Sequence, residues 1–383
     1  MIYVHVPFCR SFCTYCGFYS EICSRRDPQQ VQNRIFSAYT DALLDEIRSR
    51  FAERPQGLEG DVVPSLYFGG GTPSVLPVEM LERIVLALGP ADYEEFTMEV
   101  NPDDITEKGV GYVRRLVSLG VNRISMGVQS FDDGILRWMN RRHSAAQARE
   151  AFRILREGGV RNISIDLIFG LSQLSEDQWC DSIAGALALG PEHISAYQLS
   201  VEKGSALEKL IQDGRYDEAP EDLCRRQYDI LCGKLAEAGY HHYEVSNWAL
   251  PGREAVHNSA YWRRVSYVGL GPGAHSFDAG TGVRSWNSEE LAHYDGNGLL
   301  KRWHSECETL TAVEAAEERI MLALRTAAGM PEDELRSCTA ALGHDSSSVD
   351  RLLEEGVLVR QGDHIRIPEN RFFVSDDVIS SII

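Results

Sequence analysis

The chain has 383 residues, 43% of them hydrophobic, which suits a globular protein with one large domain and a smaller one. Its 57 acidic residues outnumber the 38 lysines and arginines, and the resulting net charge of -19 argues against nucleic acid as a partner. No apolar run approaches the ~20 residues of a transmembrane helix, and the N-terminus lacks the regions of a secretory signal. We therefore expect a cytoplasmic protein without a transmembrane segment.

Short runs typical of β-strands alternate with stretches of helical periodicity through the first 200 residues. The predicted strands are IYVHVPF (2–8), SLYFGG (65–70), EFTMEV (95–100), RISMGV (123–128), NISIDLIFG (162–170) and HISAYQLS (193–200). The predicted helices are 35–51, 79–88, 110–119, 145–157 and 176–189. This alternation predicts an α/β fold with parallel strands joined by helices. Six units are too few for a full eight-stranded barrel, so the pattern favours a partial barrel or a doubly wound sheet.

Glycines, carboxylates and amides gather at the ends of the predicted strands. A GGGTP run (69–73) follows the second strand, and Glu99 and Asn101 close the third. Gln129 follows the fourth strand, and Asp166 lies within the fifth. The carboxyl ends of parallel strands meet at one mouth, where α/β proteins hold their functional residues. The sequence therefore predicts one site built from all of these residues.

The second half of the chain has a different pattern. Residues 205–235 look helical and polar, and residues 240–290 are rich in His, Tyr, Trp and Gly. Beyond residue 305, helices are predicted at 312–326, 332–340 and 346–355, followed by the hairpin pattern LVRQGDHIRIPENRFFV (358–374). Helices followed by a hairpin indicate a small winged-helix-like module, with a structural or protein-binding role in so acidic a chain.

Three cysteines, Cys9, Cys13 and Cys16, lie within eight residues after the first predicted strand. A structural zinc site would need a fourth ligand, such as His5 or Cys23. A redox Cys-x-x-Cys pair would leave Cys9 without a role, and the polar neighbours disfavour core packing. A [4Fe–4S] cluster held by three thiolates keeps one iron open. The amino and carboxylate groups of S-adenosylmethionine could chelate that iron, and reduction of its sulfonium would yield a radical.

The cysteine triplet, with Tyr15 directly before its third cysteine, resembles the radical S-adenosylmethionine superfamily. The motifs YVHVPF, GGGTPS, EVNP, RISMGVQSF and IDLIFGL narrow this to the family of oxygen-independent coproporphyrinogen oxidases and their relatives. The similarity runs over nearly the whole chain. It implies a partial (β/α)6 barrel in residues 1–205, a family-specific extension in 206–300 and a helical C-terminal module in 301–383.

The resemblance also implies which residues hold the cofactors. The cysteine triplet would ligate the [4Fe–4S] cluster, and S-adenosylmethionine would occupy its open iron. The residues that match cofactor-lining positions are Tyr3, Tyr15, Gly70, Gly71, Thr72, Glu99, Gln129, Arg141, Asp166, Ser200 and His275. The glycines and Glu99 would receive the methionine amino group, because glycine lets the backbone approach and a carboxylate attracts an ammonium. Gln129, Arg141 and Asp166 would hold the carboxylate and ribose, and the two tyrosines would flank the cluster and the adenine.

Two features place the chain nearer to the HemW-type heme chaperones than to the oxidases. The oxidases usually carry a further cysteine two residues after the third, where this chain has Phe18. The HNSAYW run (257–262) matches the His-Asn-x-x-Tyr-Trp pattern associated with heme binding in the chaperones. An imidazole can ligate heme iron, and aromatic rings can cover a porphyrin face. The implied heme contacts are His257, Asn258, Tyr261 and Trp262.

The implied function is to bind heme and pass it to an acceptor protein, with the cluster and S-adenosylmethionine controlling the transfer. An electron-donor protein would serve the cluster. A second class of function is a radical enzyme that decarboxylates coproporphyrinogen III or modifies heme. A third is a scaffold built on zinc. Whether the chain is an enzyme therefore stays open at this stage, since a fold alone does not decide function.

Overall fold

The computed structural model describes residues 1–24, 26–52, 64–89, 91–289, 291, 305–345 and 347–383. The strands are β1 (Ile2–Val6), β2 (Phe8–Cys9), β3 (Glu21–Ile22), β4 (Ser65–Gly70), β5 (Glu95–Val100), β6 (Arg123–Gln129), β7 (Asn162–Phe169), β8 (His193–Gln198), β9 (His241–Glu244), β10 (Asn247–Ala249), β11 (Val268–Leu270), β12 (His275–Asp278), β13 (Val283–Asn287), β14 (Ser305–Thr309), β15 (Met330–Pro331), β16 (Val359–Gln361) and β17 (His364–Arg366). The helices are α1 (Gln29–Ala52), α2 (Val78–Leu88), α3 (Pro102–Ser118), α4 (Asp133–Trp138), α5 (Ala145–Gly158), α6 (Glu176–Leu187), α7 (Ala206–Gln212), α8 (Glu221–Glu237), α9 (Val256–Trp262), α10 (Ala312–Ala323), α11 (Glu332–Ala341), α12 (Ser347–Glu354) and α13 (Ser375–Ser380). Within these described residues, no helix is both long and apolar enough to cross a membrane.

The main sheet is built on the six strands predicted from the sequence. β1, β4, β5, β6, β7 and β8 lie side by side in chain order, and every neighbouring pair is parallel. Crossover connections are right-handed, so strands added in one direction put all of their helices on the same face. A doubly wound sheet reverses its strand order, and this sheet does not. The expected partial (β/α)6 barrel is therefore confirmed, and the doubly wound alternative is wrong.

The helix boundaries show where local sequence patterns mislead. The helix predicted at 110–119 is the second half of α3, which begins at Pro102 and is interrupted at Gly109, with φ 70. The interruption resets the helical periodicity, so only the later half was visible in the sequence. The α5 and α6 helices begin with capping boxes at Ser144 and Ser175, which satisfy otherwise unpaired backbone N–H groups. These two helices start within one residue of the predicted positions.

The segment 206–300 supplies both edges of the main sheet. The β11 strand pairs parallel with β1 at one edge, and β10 pairs antiparallel with β8 at the other, followed by β9. The sheet therefore has nine strands within the described part of the chain. The α9 helix and β12 also come from this segment.

The C-terminal residues form the predicted helices and hairpin. The α10, α11 and α12 helices pack with a three-stranded sheet in the order β15, β17, β16. This module contacts β9, because the backbone N–H of Val245 donates to the Arg325 carbonyl and that of Ala327 to the Tyr243 carbonyl. The buried carboxylate of Glu318 forms ion pairs with Arg264 and Arg284. Backbone hydrogen bonds and ion pairs together attach the module to the extension.

A buried carboxylate joins α1 to the β1 edge of the barrel. Glu46 is fully buried and accepts hydrogen bonds from the Gly271 backbone N–H and the Asn287 side-chain amide, both at 2.9 Å. It also forms an ion pair with Arg50 at 2.8 Å. One side chain therefore ties together the end of β11, the end of β13 and the first helix.

Glu46→Ala should lower the free energy of unfolding by about 3–5 kcal/mol, because it removes the buried carboxylate that pairs with the half-buried Arg50 and accepts from the Asn287 amide and the Gly271 N–H. Asp45→Ala on the same helix removes only an exposed ion pair with Arg48 and should cost less than ~1 kcal/mol. Urea unfolding followed by circular dichroism measures both. Equal losses in the two variants would contradict the structural role of Glu46.

Candidate functional site

A cavity of 710 Å³ opens at the carboxyl ends of the parallel strands. This volume is within the range of small-molecule sites. The predicted residues that line it are Cys9, Cys13, Tyr15, Cys16, Gly70, Gly71, Thr72, Glu99, Gln129, Arg141, Asp166 and Ser200. The structure thus brings the cysteine triplet and most of the predicted cofactor residues to one cavity, although they are spread over almost 200 positions of the chain.

The cysteine loop faces polar groups of the barrel. The guanidinium of Arg141 donates to the Cys13 Sγ at 3.3 Å, and the Cys9 Sγ lies 3.5 Å from the Thr72 hydroxyl. Burial raises the pKa of the Cys9 thiol, and it raises the pKa of Cys16 to about 11. Iron would therefore have to displace protons from these thiols, as metal binding to cysteine ordinarily does. The Arg141 charge favours the thiolate form that a metal needs.

The candidates for a fourth protein ligand are engaged elsewhere. Both ring nitrogens of His5 have partners, since Nδ1 lies 3.1 Å from the Tyr3 hydroxyl and Nε2 lies 3.1 Å from the Tyr19 carbonyl. The Cys23 side chain is only 1% exposed and is not among the residues that line the cavity. In the described part of the chain, no three His, Cys, Asp or Glu side chains are grouped to hold a single metal ion. The donor set suits a larger cluster with three thiolates better than a four-ligand zinc site.

The glycine run brings β4 into contact with the cysteine strand. A Cβ at Gly71 would lie 2.7 Å from the Phe8 carbonyl oxygen, and one at Gly70, with φ +106, would lie 2.5 Å from the His5 ring. The Gly71 N–H donates to the Val6 carbonyl at 2.9 Å. Sequence reasoning assigned these glycines to the approach of a cofactor. The structure adds a reason within the protein: any side chain here would push β4 away from the cysteines.

Two carboxylates face the interior of the cavity. Glu99 accepts hydrogen bonds from the Tyr67 hydroxyl at 2.9 Å and the Gly70 N–H at 3.2 Å. Burial and, to a lesser degree, the charge of Asp166 raise the pKa of Glu99 to about 7. Asp166 accepts from the Ser125 hydroxyl at 3.0 Å, and burial raises its pKa as well. A cationic ligand would lower both pKa values and bind most strongly to the ionised pair.

A β-bulge directs Gln129 toward the cavity. The register between β6 and β7 shifts between Gly127 and Gln129, and Gln129 has a left-handed φ of 69. Its buried Oε1 accepts no hydrogen bond from the described residues. The neighbouring Arg141 donates through Nη2 to Asn101 at 2.6 Å and to the Gly127 carbonyl at 2.5 Å. A hydrogen-bond donor on a bound ligand would satisfy this buried acceptor, which the strained backbone holds in place.

A second cavity, of 410 Å³, lies beside the first. Gly17, Phe18, Gly70 and Glu99 line both cavities. The aromatic residues and histidines of the second cavity are Tyr3, His5, Phe18, Tyr19, Tyr261, Tyr267 and His275. Tyr3 and His275, which the resemblance assigned to the S-adenosylmethionine site, line this second cavity and not the first. The reason is topological: Tyr3 lies early in β1, and His275 comes from β12, behind the β1 edge of the barrel.

The HNSAYW run forms α9, and its histidine is in the protein interior. His257 is 1% exposed; its Nδ1 lies 2.9 Å from the Ser65 hydroxyl and its Nε2 lies 3.1 Å from the Tyr261 hydroxyl. Burial lowers the pKa of His257 to about 3, so the ring is neutral. The Glu95 carboxylate accepts from the backbone N–H groups of Val256 and His257 at the start of the helix. A heme contact by His257 would therefore have to replace one of two buried hydrogen bonds.

The other residues of the motif differ in whether they line a cavity. Tyr261 lines the second cavity, whereas Asn258 and Trp262 are half-buried and line neither cavity. Sequence reasoning missed the partners Ser65 and Glu95, which begin β4 and β5 and are remote from the motif in the chain. The sequence signal for them was a polar residue at the start of each predicted strand.

Comparison with known proteins agrees with this geometry. The family model of the radical SAM superfamily matches residues 3–184. The heme chaperone HemW of Bacillus subtilis is 34% identical over 86% of this chain and 84% of the relative, and that of Synechocystis sp. is 34% identical over 88% and 80%. The chain belongs to the HemW family of the radical SAM superfamily. Among solved structures, coproporphyrinogen III oxidase (HemN) from Escherichia coli covers 100% of this chain and 89% of its own, at a TM-score of 0.80 and 21% identity. That likeness shows a shared fold.

Membership in the superfamily implies a [4Fe–4S] cluster and S-adenosylmethionine, and the first cavity fits both. Its three thiols would hold the cluster, its carboxylates would attract the methionine ammonium, and the free Gln129 Oε1 would accept a hydrogen bond from the cofactor. When bound, the cluster would supply one electron to the sulfonium of S-adenosylmethionine, which breaks a carbon–sulfur bond to give a thioether and a carbon radical. The protein's own contribution is to orient the ligands, exclude water and set the charge around them.

Replacing Cys9, Cys13 or Cys16 by Ala should abolish a stable cluster, because two thiolates cannot hold a cubane that already has one open iron. Cys23→Ala should keep it, since that thiol lies outside the cavity. Iron and sulfide content after anaerobic reconstitution measures the outcome. A Cys23 variant without a cluster, together with a Cys9 variant that retains one, would show that the ligands are assigned wrongly.

Affinity for S-adenosylmethionine should depend on pH through Glu99. Its pKa of about 7 means that the carboxylate is progressively protonated below neutrality and loses its attraction for an ammonium. The affinity should therefore fall below pH 7 with a limiting slope of roughly tenfold per pH unit. Isothermal titration calorimetry across this range measures it.

Glu99→Gln should bind more weakly at pH 8 and lose this slope. Glu237→Gln, which alters an exposed carboxylate of α8 that lines neither cavity, is the control and should retain it. If Glu99→Gln kept the pH dependence of the parent protein, Glu99 would not be the group that contacts the ammonium.

Proposed function

We propose that this protein binds heme and delivers it to an acceptor protein, and that its cluster and S-adenosylmethionine control the transfer. Support comes from the relatives in Bacillus subtilis and Synechocystis sp., which are named heme chaperones and match most of the chain. The proposal includes a cytoplasmic location and an electron-donor protein that reduces the cluster. The physical case for heme depends on the second cavity.

The aromatic second cavity beside the cofactor cavity is the observation that carries this proposal. A porphyrin is a flat apolar ring, and aromatic side chains cover such a face well. Phe18 is 75% exposed at the mouth, so the cavity is open to solvent. A ring larger than 410 Å³ could therefore lie partly inside and project outward. A projecting cargo suits a carrier, because the acceptor can contact it before the carrier releases it.

Phe18 also bears on the choice between chaperone and oxidase. It replaces the additional cysteine of the oxidases, and it lies where the two cavities meet. An exposed phenyl ring provides apolar surface for a porphyrin and removes a thiol from the cofactor side. The residue that departs from the oxidase pattern is therefore well placed for holding a cargo.

A radical enzyme that modifies a tetrapyrrole is the second candidate, and one observation favours it. Gly70 and Glu99 line both cavities, so a ring in the second cavity would lie close to S-adenosylmethionine in the first. The same adjacency allows the chaperone to sense its cofactors while it holds heme. Assays of heme transfer and of tetrapyrrole modification distinguish these two uses of one arrangement.

The reconstituted protein should bind heme, transfer it to apomyoglobin as a probe acceptor, and leave coproporphyrinogen III unchanged in the presence of reductant and S-adenosylmethionine. Absorption spectroscopy follows the heme, and mass spectrometry follows the porphyrinogen. Cys13→Ala should still bind heme but transfer it at an altered rate, because the cluster lies in the other cavity. Decarboxylated product with no heme binding would overturn the proposal in favour of the enzyme.

A further inference from the structure

We propose that His275 supplies the nitrogen ligand to heme iron in the second cavity, and that His257 acts only by positioning Tyr261. This inference rests on the proposed heme-binding function and specifies its site. Two histidines of the 240–290 segment are candidates for the iron ligand, and their surroundings differ. The difference lies in whether a ring nitrogen is available.

His257 has no available nitrogen. Ser65 and Tyr261 occupy its two ring nitrogens, and the side chain is 1% exposed. Its ring also packs against Tyr67, with ring centroids 5.0 Å apart. Iron ligation at this position would break a buried hydrogen bond and leave a hydroxyl without its partner, which is costly in the interior.

His275 has the opposite surroundings. Its side chain is exposed and lines the second cavity, and no described residue forms a hydrogen bond with its ring nitrogens. The ring stacks on Trp286, with centroids 5.8 Å apart and an angle of 25° between the planes. Stacking limits the directions that the ring can take and leaves its nitrogens free to bind a metal.

The backbone beneath His275 is held tightly. His275 pairs with Trp286 across β12 and β13, and the Asn287 N–H donates to the Ala274 carbonyl at 3.0 Å. A Cβ at Gly269 would lie only 1.9 Å from the His275 carbonyl oxygen, so β11 allows this close approach only because it carries a glycine there. A fixed backbone under a free imidazole is a preorganised ligand position, which lowers the entropy cost of binding.

The remaining walls of the cavity would cover the porphyrin. Tyr261 and Tyr267 meet edge to face with centroids 4.7 Å apart, and Phe18 stands at the mouth. The His257–Tyr261 hydrogen bond sets the position of the Tyr261 ring in this group. The buried histidine of the HNSAYW run thus acts on the cavity through its tyrosine, and His275 provides the contact to iron.

The test compares His275→Ala, His257→Ala and His241→Ala, the last being an exposed histidine of β9 as the matched control. Heme affinity, the absorption spectrum and the electron paramagnetic resonance of ferric heme are measured on the reconstituted full chain. His275→Ala should lose the nitrogen-ligated spectrum and bind heme roughly tenfold or more weakly. Added imidazole should restore the spectrum. Cluster content and S-adenosylmethionine affinity should stay as in the parent protein.

His257→Ala should keep a nitrogen-ligated spectrum, with a smaller loss of affinity, and His241→Ala should match the parent. A parent-like spectrum in His275→Ala, or a spectrum lost only in His257→Ala, would overturn the inference while leaving heme binding established. Loss without imidazole rescue would also count against His275 as the ligand. A parent protein that binds no heme would instead overturn the proposed function itself.

Discussion

The site depends on the close contact between the glycine end of β4 and the strand that carries the first cysteine. Gly71 lies against the Phe8 backbone at a distance that no Cβ could occupy, and the Gly71 N–H donates to Val6. This contact places Thr72 beside the Cys9 sulfur. Any side chain at Gly71 would separate the loop that holds the thiols from the strand ends that form the rest of the cavity. The other site residues then follow from the order of the barrel strands.

The electrostatics of the first cavity are set for cationic and metallic ligands. Burial raises the pKa of the Cys9 and Cys16 thiols, and the nearby Arg141 charge opposes this rise at both. Glu99 and Asp166 are carboxylates whose pKa values burial raises. Such a cavity is stabilised most when iron and an ammonium bind together. Iron stabilises the thiolate form of the cysteines, and the ammonium stabilises the ionised form of the carboxylates.

The second cavity is built from different chemistry and by a different part of the chain. Its walls are aromatic, and the 206–300 segment supplies Tyr261, Tyr267 and His275. Phe18, Gly70 and Glu99 belong to both cavities. Through these shared residues, binding in one cavity can affect the other, because a change at Glu99 or in the cysteine loop alters the lining of both cavities. A heme carrier controlled by its cofactors requires a connection of this sort.

Local periodicity in the sequence predicted the six parallel strands and most of their helices, and the rule that parallel strands bring their carboxyl ends together predicted one site there. The cofactor residues of the first cavity were predicted from spaced motifs that resemble the family. Only the tertiary structure decided that Tyr3 and His275 face a second cavity and that Ser65, Glu95 and Tyr261 surround His257. It also decided that the 206–300 segment supplies the strands at both edges of the main sheet. The reason is physical, because residues far away in the chain form the environment of a side chain. A motif identifies the side chain, but it does not show which residues form hydrogen bonds with its polar atoms.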